Sequence, residues 1–226
     1  GKWSRLSLTK NTSYTVSGLN SLTAYSFKVR AYAPNGKKTL YSAYSSEVKA
    51  TTLISAVENF KADNVTENAI SLSWNEDSRA DAYRLERSSD KVNWTSVDLK
   101  PSELSKSGSA FKYDITGLSA STIVYLRLSA VKNGVPGVPT LLNGKTVPAA
   151  VTGLKAEGGD NGASIDLSWN ALSASADYID GYIVRCNRKD GALDVKTNSC
   201  NFGGLDYDNE YGFTVEPYVV VSGKSY

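Results

Sequence analysis

The strongest constraint on the fold is a strand-like segment that the chain repeats. Residues 69–75, with the sequence AISLSWN, recur 95 positions later as SIDLSWN in residues 164–170. In the first copy Ile70, Leu72 and Trp74 alternate with polar residues, so these side chains share one face of a strand. A repeat of this kind predicts successive β-domains, and 226 residues are enough for about two domains of the usual size.

A second block occurs three times and marks the same place in each copy. It reads YTVSGL at residues 14–19, YDITGL at 113–118 and CNFGGL at 200–205. After each block the apolar residues alternate again, which predicts a strand with one buried face. These residues lie at matching offsets from the Leu of the block: Tyr25, Phe27 and Val29, then Val124, Leu126 and Leu128, then Tyr211, Phe213 and Val215.

Composition argues against several classes of function. The chain has 25 basic and 23 acidic residues, which we interpret as interspersed, so nucleic acid and anionic membrane are not expected partners. No apolar run approaches the roughly 20 residues of a spanning helix. The chain has no His, the commonest general base, and two Cys cannot form a four-thiolate metal site. We therefore expect no catalytic, metal-binding or cofactor-binding residues and no enzymatic activity.

Together the repeated blocks resemble fibronectin type III domains. The resemblance rests on Trp74 and Trp169 in the second strand, on a Tyr-x-Val pattern in the third strand at residues 182–184, and on a Gly-Leu pair six residues before a corner Tyr. It implies an all-β protein of tandem immunoglobulin-like, seven-stranded β-sandwiches.

Placed on that strand order, the chain divides into three parts. Residues 1–54 correspond to the C-terminal part of one module, residues 55–148 to a complete module, and residues 149–226 to a module without its last strand. The blocks WSRL at 3–6 and WTSV at 94–97 show where the first copy begins. We expect either a longer natural chain or strand complementation by another chain at the incomplete modules.

The resemblance also assigns structural roles. Tyr25 and Tyr211 fall at the tyrosine corner, where the hydroxyl bonds back to the backbone, whereas the second module has Val124 there and its corner must be held differently. The remaining residues assigned to the core are Trp74, Trp169, Leu19, Leu118 and Leu205.

Two features are candidates for more than packing. Cys186 and Cys200 both point inward, and a disulfide is one hypothesis for an extracellular chain; two buried thiols are the alternative, because these positions fall in opposite sheets. Tyr41 and Tyr44, in the sequence YSAYS, resemble in position the Trp-Ser-x-Trp-Ser sequence of cytokine receptors. They are either an aromatic contact surface or half-buried sheet packing.

The function that the resemblance implies is structural. We expect spacer and adhesion or protein-interaction modules of a secreted or cell-surface protein, whose partner is a protein or a cell-surface polysaccharide. Two alternatives stay open: accessory or carbohydrate-contacting modules of a larger carbohydrate-active enzyme, and a receptor ectodomain.

Overall fold

The computed structural model describes residues 2–160, 162–172 and 178–226, and nearly all of its regular structure is β-strand. One 3₁₀ turn, Pro101–Glu103, follows a strand end. Within the described ranges no helix is long and apolar enough to cross a membrane. We call residues 1–54, 55–148 and 149–226 the first, second and third segments.

The first segment has four short strands in two antiparallel pairs. Strand β1 pairs with β4, and β2 pairs with β3 through a turn at Gly36. The bounds are β1 Ala24–Phe27, β2 Tyr32–Asn35, β3 Lys38–Tyr41 and β4 Val48–Thr51.

The second segment is a sandwich of two antiparallel sheets. One sheet has the order β5-β6-β10-β9; the other has the order β12-β11-β7-β8, with β13 also paired to β11. The bounds are β5 Lys61–Val65, β6 Ile70–Asn75, β7 Ala82–Ser88, β8 Thr95–Leu99, β9 Ser105–Ser107, β10 Ala110–Ile115, β11 Ile123–Lys132, β12 Val135–Pro136 and β13 Thr140–Lys145.

The third segment repeats this arrangement with three strands in each sheet. The sheets have the orders β14-β15-β18 and β17-β16-β19, and a short hairpin of β20 and β21 follows. No described strand pairs with β19 in the way that β13 pairs with β11. The bounds are β14 Lys155–Gly158, β15 Ser164–Ser168, β16 Gly181–Cys186, β17 Lys189–Val195, β18 Ser199–Gly203, β19 Phe213–Tyr218, β20 Val220–Val221 and β21 Lys224–Ser225.

Each complete core is centred on a Trp. The ring of Trp74 lies 5.5 Å from that of Tyr83, which is 5.5 Å from the ring of Phe111. In the third segment the rings of Trp169 and Tyr182 are 5.1 Å apart. Edge-to-face pairs of this kind add about 0.5–1.5 kcal/mol each beyond the area they bury. The alternating Ile, Leu and Trp pattern thus forms the inner face of a strand in both copies.

The inner face of the first segment is uncovered. Val29 is 72% exposed, whereas Leu128, at the same offset in the second segment, is fully buried. The same contrast holds two residues earlier on each strand, where Leu126 is buried and Phe27 is only partly buried. In the second segment the sheet containing β6 covers this face, and the described residues of the first segment provide no such sheet.

The core of the second segment extends into the third. Tyr178, Val219 and Val221 are all at most 2% exposed, and they belong to the same cluster of contacting side chains as Trp74 and Ile54. The third segment therefore packs against the second through apolar side chains.

Candidate functional site

The candidate site lies in the first segment, where residues 42–45 run beside residues 29–31, which connect β1 to β2. Here the hydroxyl oxygens of two serines accept the hydrogen bonds that backbone carbonyls would accept between paired strands. The amide of Ala31 donates to Ser42 Oγ at 2.9 Å, and the amide of Val29 donates to Ser45 Oγ at 3.1 Å. The amides of Ser42 and Ser45 donate in return to the carbonyls of Ala31 and Val29. This fixes the backbone that carries Tyr41 and Tyr44.

Aromatic rings and cations alternate along this surface. Arg30 Cζ lies 3.8 Å from the ring centroid of Tyr41 and 4.6 Å from that of Tyr44. Lys28 Nζ lies 4.4 Å from the ring of Tyr44 and 4.0 Å from that of Trp3. We call the set Trp3, Lys28, Tyr44, Arg30 and Tyr41 the cation–aromatic ladder. Cation–π contacts at exposed sites are worth about 0.5–1 kcal/mol each, so the ladder holds both cations in place.

The second segment repeats the first step of this ladder. Arg127 Cζ lies 3.7 Å from the ring of Trp94, and Arg127 also forms an ion pair of 2.8 Å with Glu86. Lys28 and Arg127 both stand nine residues after the Leu of their repeated block. The correspondence of Trp3 with Trp94 was predicted from the sequence, whereas the role of Lys28 and Arg127 was not. Their equal distance from the Leu of the block is the signal that could have identified them.

The charge distribution corrects another expectation. The interpretation of charges as interspersed is wrong for the first segment, which contains eight Lys and Arg residues and a single acidic residue, Glu47. The rest of the chain has 17 basic and 22 acidic residues. Within the described residues neither Lys28 nor Arg30 forms an ion pair, because Glu47 lies beside Lys49 and accepts a hydrogen bond from Ser26. The ladder therefore presents uncompensated positive charge.

The hydroxyls of Tyr25 and Tyr211 bond to the backbone of the turn that precedes each residue. The hydroxyl of Tyr25 accepts a hydrogen bond of 3.0 Å from the amide of Asn20, and that of Tyr211 accepts one of 2.8 Å from the amide of Asp206. In the second segment Thr146 holds the corner: its hydroxyl donates to the carbonyl of Ser119 at 2.9 Å and accepts from the amide of Thr122 at 2.9 Å. Val124 is buried in the core instead.

The other core assignments follow the same pattern. Trp74 and Trp169 are at most 3% exposed, and their indole N–H groups have no hydrogen-bond partner among the described residues. Leu205 is buried, while Leu118 and Leu19 are partly buried. The two Trp rings are thus core residues and are not available to stack on a ligand.

The two cysteines are free thiols in the structure. Cys186 is on β16 and Cys200 is on β18, and these strands belong to opposite sheets of the third segment. Burial, with a smaller contribution from the Asp166 carboxylate, raises the pKa of the Cys200 thiol. Both effects disfavour the thiolate that oxidation requires.

Several carboxylates of the second and third segments form ion pairs, among them Asp77, Asp98 and Asp180. No group of three or more His, Cys, Asp or Glu in this part of the chain is placed to hold a metal ion. Asp77 is a typical case: hydrogen bonds and the charge of Arg79 keep the pKa of its carboxyl below the ordinary value. The chemistry that the ladder offers is binding of anions by fixed cations.

Comparisons with known proteins agree with this architecture. The family model of the fibronectin type III domain matches residues 149–225. Residues 149–225 are a fibronectin type III domain. No curated protein matches the chain.

The solved structures that match parts of the chain include two of low identity. A two-domain fibronectin type III segment from chicken tenascin is 19% identical, with 75% of this chain and 93% of that chain covered and a TM-score of 0.36. A computationally redesigned β-sandwich protein is 18% identical, with 42% and 96% covered and a TM-score of 0.35.

The fibronectin type III architecture also describes the second segment. It has the same Trp strand and the same Gly-Leu block as the third, and its strands form the same two-sheet sandwich. The second and third segments are two such sandwiches in tandem. The family match indicates a structural or protein-interaction module at residues 149–225.

Proposed function

We propose that the chain is a stiff spacer and interaction unit within a secreted or cell-surface protein. The first, second and third segments act as three successive modules, with the boundaries given above. The observation that carries the proposal is the docked junction between the second and third segments, because a spacer with a fixed length needs junctions that do not bend freely.

The junction is apolar at its centre. Val219 and Val221, at the base of the β20–β21 hairpin, are 0% and 2% exposed in the core of the second segment. Burying a Val side chain is worth about 1.5–3 kcal/mol relative to exposure. The two valines therefore contribute several times the thermal energy to holding the segments together.

Polar contacts fix the orientation around these valines. The amide of Ala62 donates to Ser222 Oγ at 3.2 Å, and the hydroxyl of Tyr226 donates to the carbonyl of Asp63 at 2.9 Å. A further contact is the ion pair in which Lys145 Nζ lies 2.9 Å from the Asp180 carboxylate. Three polar contacts at separate residues oppose rotation of the two segments as well as their separation.

The junction between the first and second segments is different. The corresponding hairpin of the second segment contains Lys132 and Asn133, which bond to Asp81 of their own segment. The contacts across this junction include Ile54, which is 2% exposed in the second core, Leu22 packed against that core, and a 3.4 Å hydrogen bond from Arg79 to Ser21. We infer that the first junction bends more than the second, because the hairpin at the first junction is held by its own segment.

Small-angle X-ray scattering of the whole chain tests this proposal. The double substitution Val219→Ser and Val221→Ser removes the apolar centre of the junction, and we expect a larger radius of gyration and a broader distance distribution. The matched control is Val135→Ser with Val138→Ser, at positions 51% and 58% exposed. Equal curves for the wild type and the Val219 and Val221 variant would contradict the proposal.

A second function is favoured by the cation–aromatic ladder, whose rings are 41–50% exposed. It is contact with a polysaccharide, either as a surface module or as an accessory module of a carbohydrate-active enzyme.

A further inference from the structure

The strongest unexplained feature outside the junction is the positive charge of the first segment. Eight basic residues and a single Glu give these 54 residues a formal charge of +7, whereas the rest of the chain, with 17 basic and 22 acidic residues, has a formal charge of −5. A module that serves only as a spacer has no need of such a field, since net charge of one sign costs stability through self-repulsion. The charge concentrates where the ladder lies.

We propose that the cation–aromatic ladder and the basic residues around it bind an acidic polysaccharide. The ligand would carry carboxylate or sulfate groups along its length. This inference goes beyond the spacer proposal and does not depend on it.

The ladder prepares two cations for anion binding. Lys28 and Arg30 are two residues apart along the chain, and each is held between two rings. Because the rings already restrict both long side chains, an anion that binds them has less side-chain entropy to remove. The guanidinium and ammonium N–H groups have no carboxylate partner within the described residues, so they are free to donate to a ligand.

The rings suit a sugar chain better than a nucleic acid. Binding of single-stranded nucleic acid relies on bases stacked against aromatic faces. Here the faces of Tyr44 are taken by Lys28 and Arg30, and a face of Tyr41 is taken by Arg30. The hydroxyls of Tyr41 and Tyr44 have no partner in the described part of the chain and can hydrogen-bond to sugar hydroxyls.

Neighbouring lysines extend the positive surface. Lys37 and Lys38 lie at the turn of the β2–β3 hairpin that carries Tyr41, and Lys2 and Arg5 flank Trp3; all four are exposed. A polymer with repeated anionic groups can contact several of them together, and its affinity then decreases steeply as salt screens the charges.

The test uses the whole chain and two polymers with the same backbone, dextran sulfate and unmodified dextran. Calorimetric titration in about 10 mM salt, where the screening length is about 30 Å, should show binding of dextran sulfate and none of dextran. A polyuronate distinguishes carboxylate from sulfate recognition, and an oligothymidylate of matched charge tests the nucleic-acid reading. Tighter binding of the oligothymidylate than of both acidic polysaccharides would overturn the proposal.

The decisive variant is Lys28→Gln with Arg30→Gln. We expect its dissociation constant for dextran sulfate to rise by about tenfold or more, since two charge-assisted contacts are lost. The matched control is Lys112→Gln with Lys155→Gln, which removes the same charge from exposed positions in the second and third segments. Equal weakening by both variants would mean that only net charge matters, and the proposal would fall.

A third variant guards against a folding defect in the ladder. Lys37→Gln with Lys38→Gln leaves the ladder intact, so circular dichroism should match the wild type. We expect weaker binding than for the control variant and a smaller salt dependence than for the wild type. Unchanged binding by this variant would contradict an extended surface. If the unmodified chain bound neither dextran sulfate nor the polyuronate, the proposal would fall. The scattering test of the spacer would be unaffected by that result.

Discussion

The hydroxyl of Tyr178 donates a hydrogen bond to the carbonyl oxygen of Thr146, across the junction of the second and third segments. Burial raises the pKa of Tyr178, so the neutral, donating form is kept in the folded chain. The acceptor residue also holds the corner of the second segment through its side chain. One residue thus joins the internal structure of one module to its contact with the next.

Substitution of Thr146 by Val should weaken the second segment. The amide of Thr122 and the carbonyl of Ser119 would lose their side-chain partner at a partly buried corner, at a cost of about 0.5–1.5 kcal/mol in the free energy of unfolding for each hydrogen bond. Urea unfolding, followed by the amide signals of each segment, measures this.

The comparison variant for Thr146 is Thr52→Val. Thr52 bonds to Thr23 and Asn20 in the same way, but Tyr25 also holds that corner. We expect a smaller loss for Thr52, and an equal loss at both sites would show that the Thr hydroxyl does not compensate for the missing tyrosine.

Truncation at equivalent positions should have unequal effects in the first and second segments. Leu128→Ala removes a fully buried side chain and should cost about 2–5 kcal/mol. Val29→Ala, at the same offset but 72% exposed, should change stability by less than about 0.5 kcal/mol. Segment-resolved urea unfolding compares the two. A large cost at Val29 would show that its face is covered in solution.

The turn after β7 should resist acid. Hydrogen bonds from the amide and side chain of Asn93, the amide of Val92 and the hydroxyl of Ser88 hold the pKa of Asp90 far below the usual value for an aspartate. Because the pKa is lower in the folded chain, the ionised carboxylate stabilises the turn at pH values above the unfolded pKa of about 3.9. This stabilisation is lost as the pH falls through the folded-state pKa.

Carbon NMR of the Asp90 carboxyl between about pH 5 and pH 3 checks this, since the carboxyl should stay ionised through the ordinary aspartate range. The variant Asp90→Asn should loosen the turn at neutral pH. An ordinary titration midpoint for Asp90 would refute the role assigned to its hydrogen bonds.

Both cysteines should react as thiols. Cys186 is 8% exposed and the pKa of Cys200 is raised, so a thiol reagent at neutral pH should react slowly with the native chain and rapidly with two groups after unfolding. The chain should be purified without reductant under air. Finding no thiol in the unfolded, unreduced chain would instead support a disulfide.

Period-2 patterns predicted the cores of the second and third segments well. Alternation around Trp74 and Trp169 is enough to place both rings inward, because a strand face is either buried or exposed as a whole. Tyr25 and Tyr211 could be placed from their distance to the Gly-Leu block. Thr146 could not, since its role depends on the fold bringing the end of β13 to the corner.

The ladder and the junction were harder to predict. Lys28 and Arg30 read as ordinary surface residues until the structure places them between rings, and the near-neutral total charge hid the excess in the first segment. Val219 and Val221 read as the end of a strand, because nothing in a local pattern shows which neighbouring module a hairpin will contact. Contacts between modules are the part of the fold that local periodicity does not encode.

Residual dipolar couplings of the whole chain in a weakly aligning medium test the central claim most directly, because they report the orientation of each segment. The docked junction predicts that the amides of the second and third segments fit one common alignment tensor, and that Val219→Ser with Val221→Ser separates them into two tensors of different magnitude. Two different tensors in the unmodified chain would contradict the account, because the hairpin around Val221 would then not fix the third segment on the second.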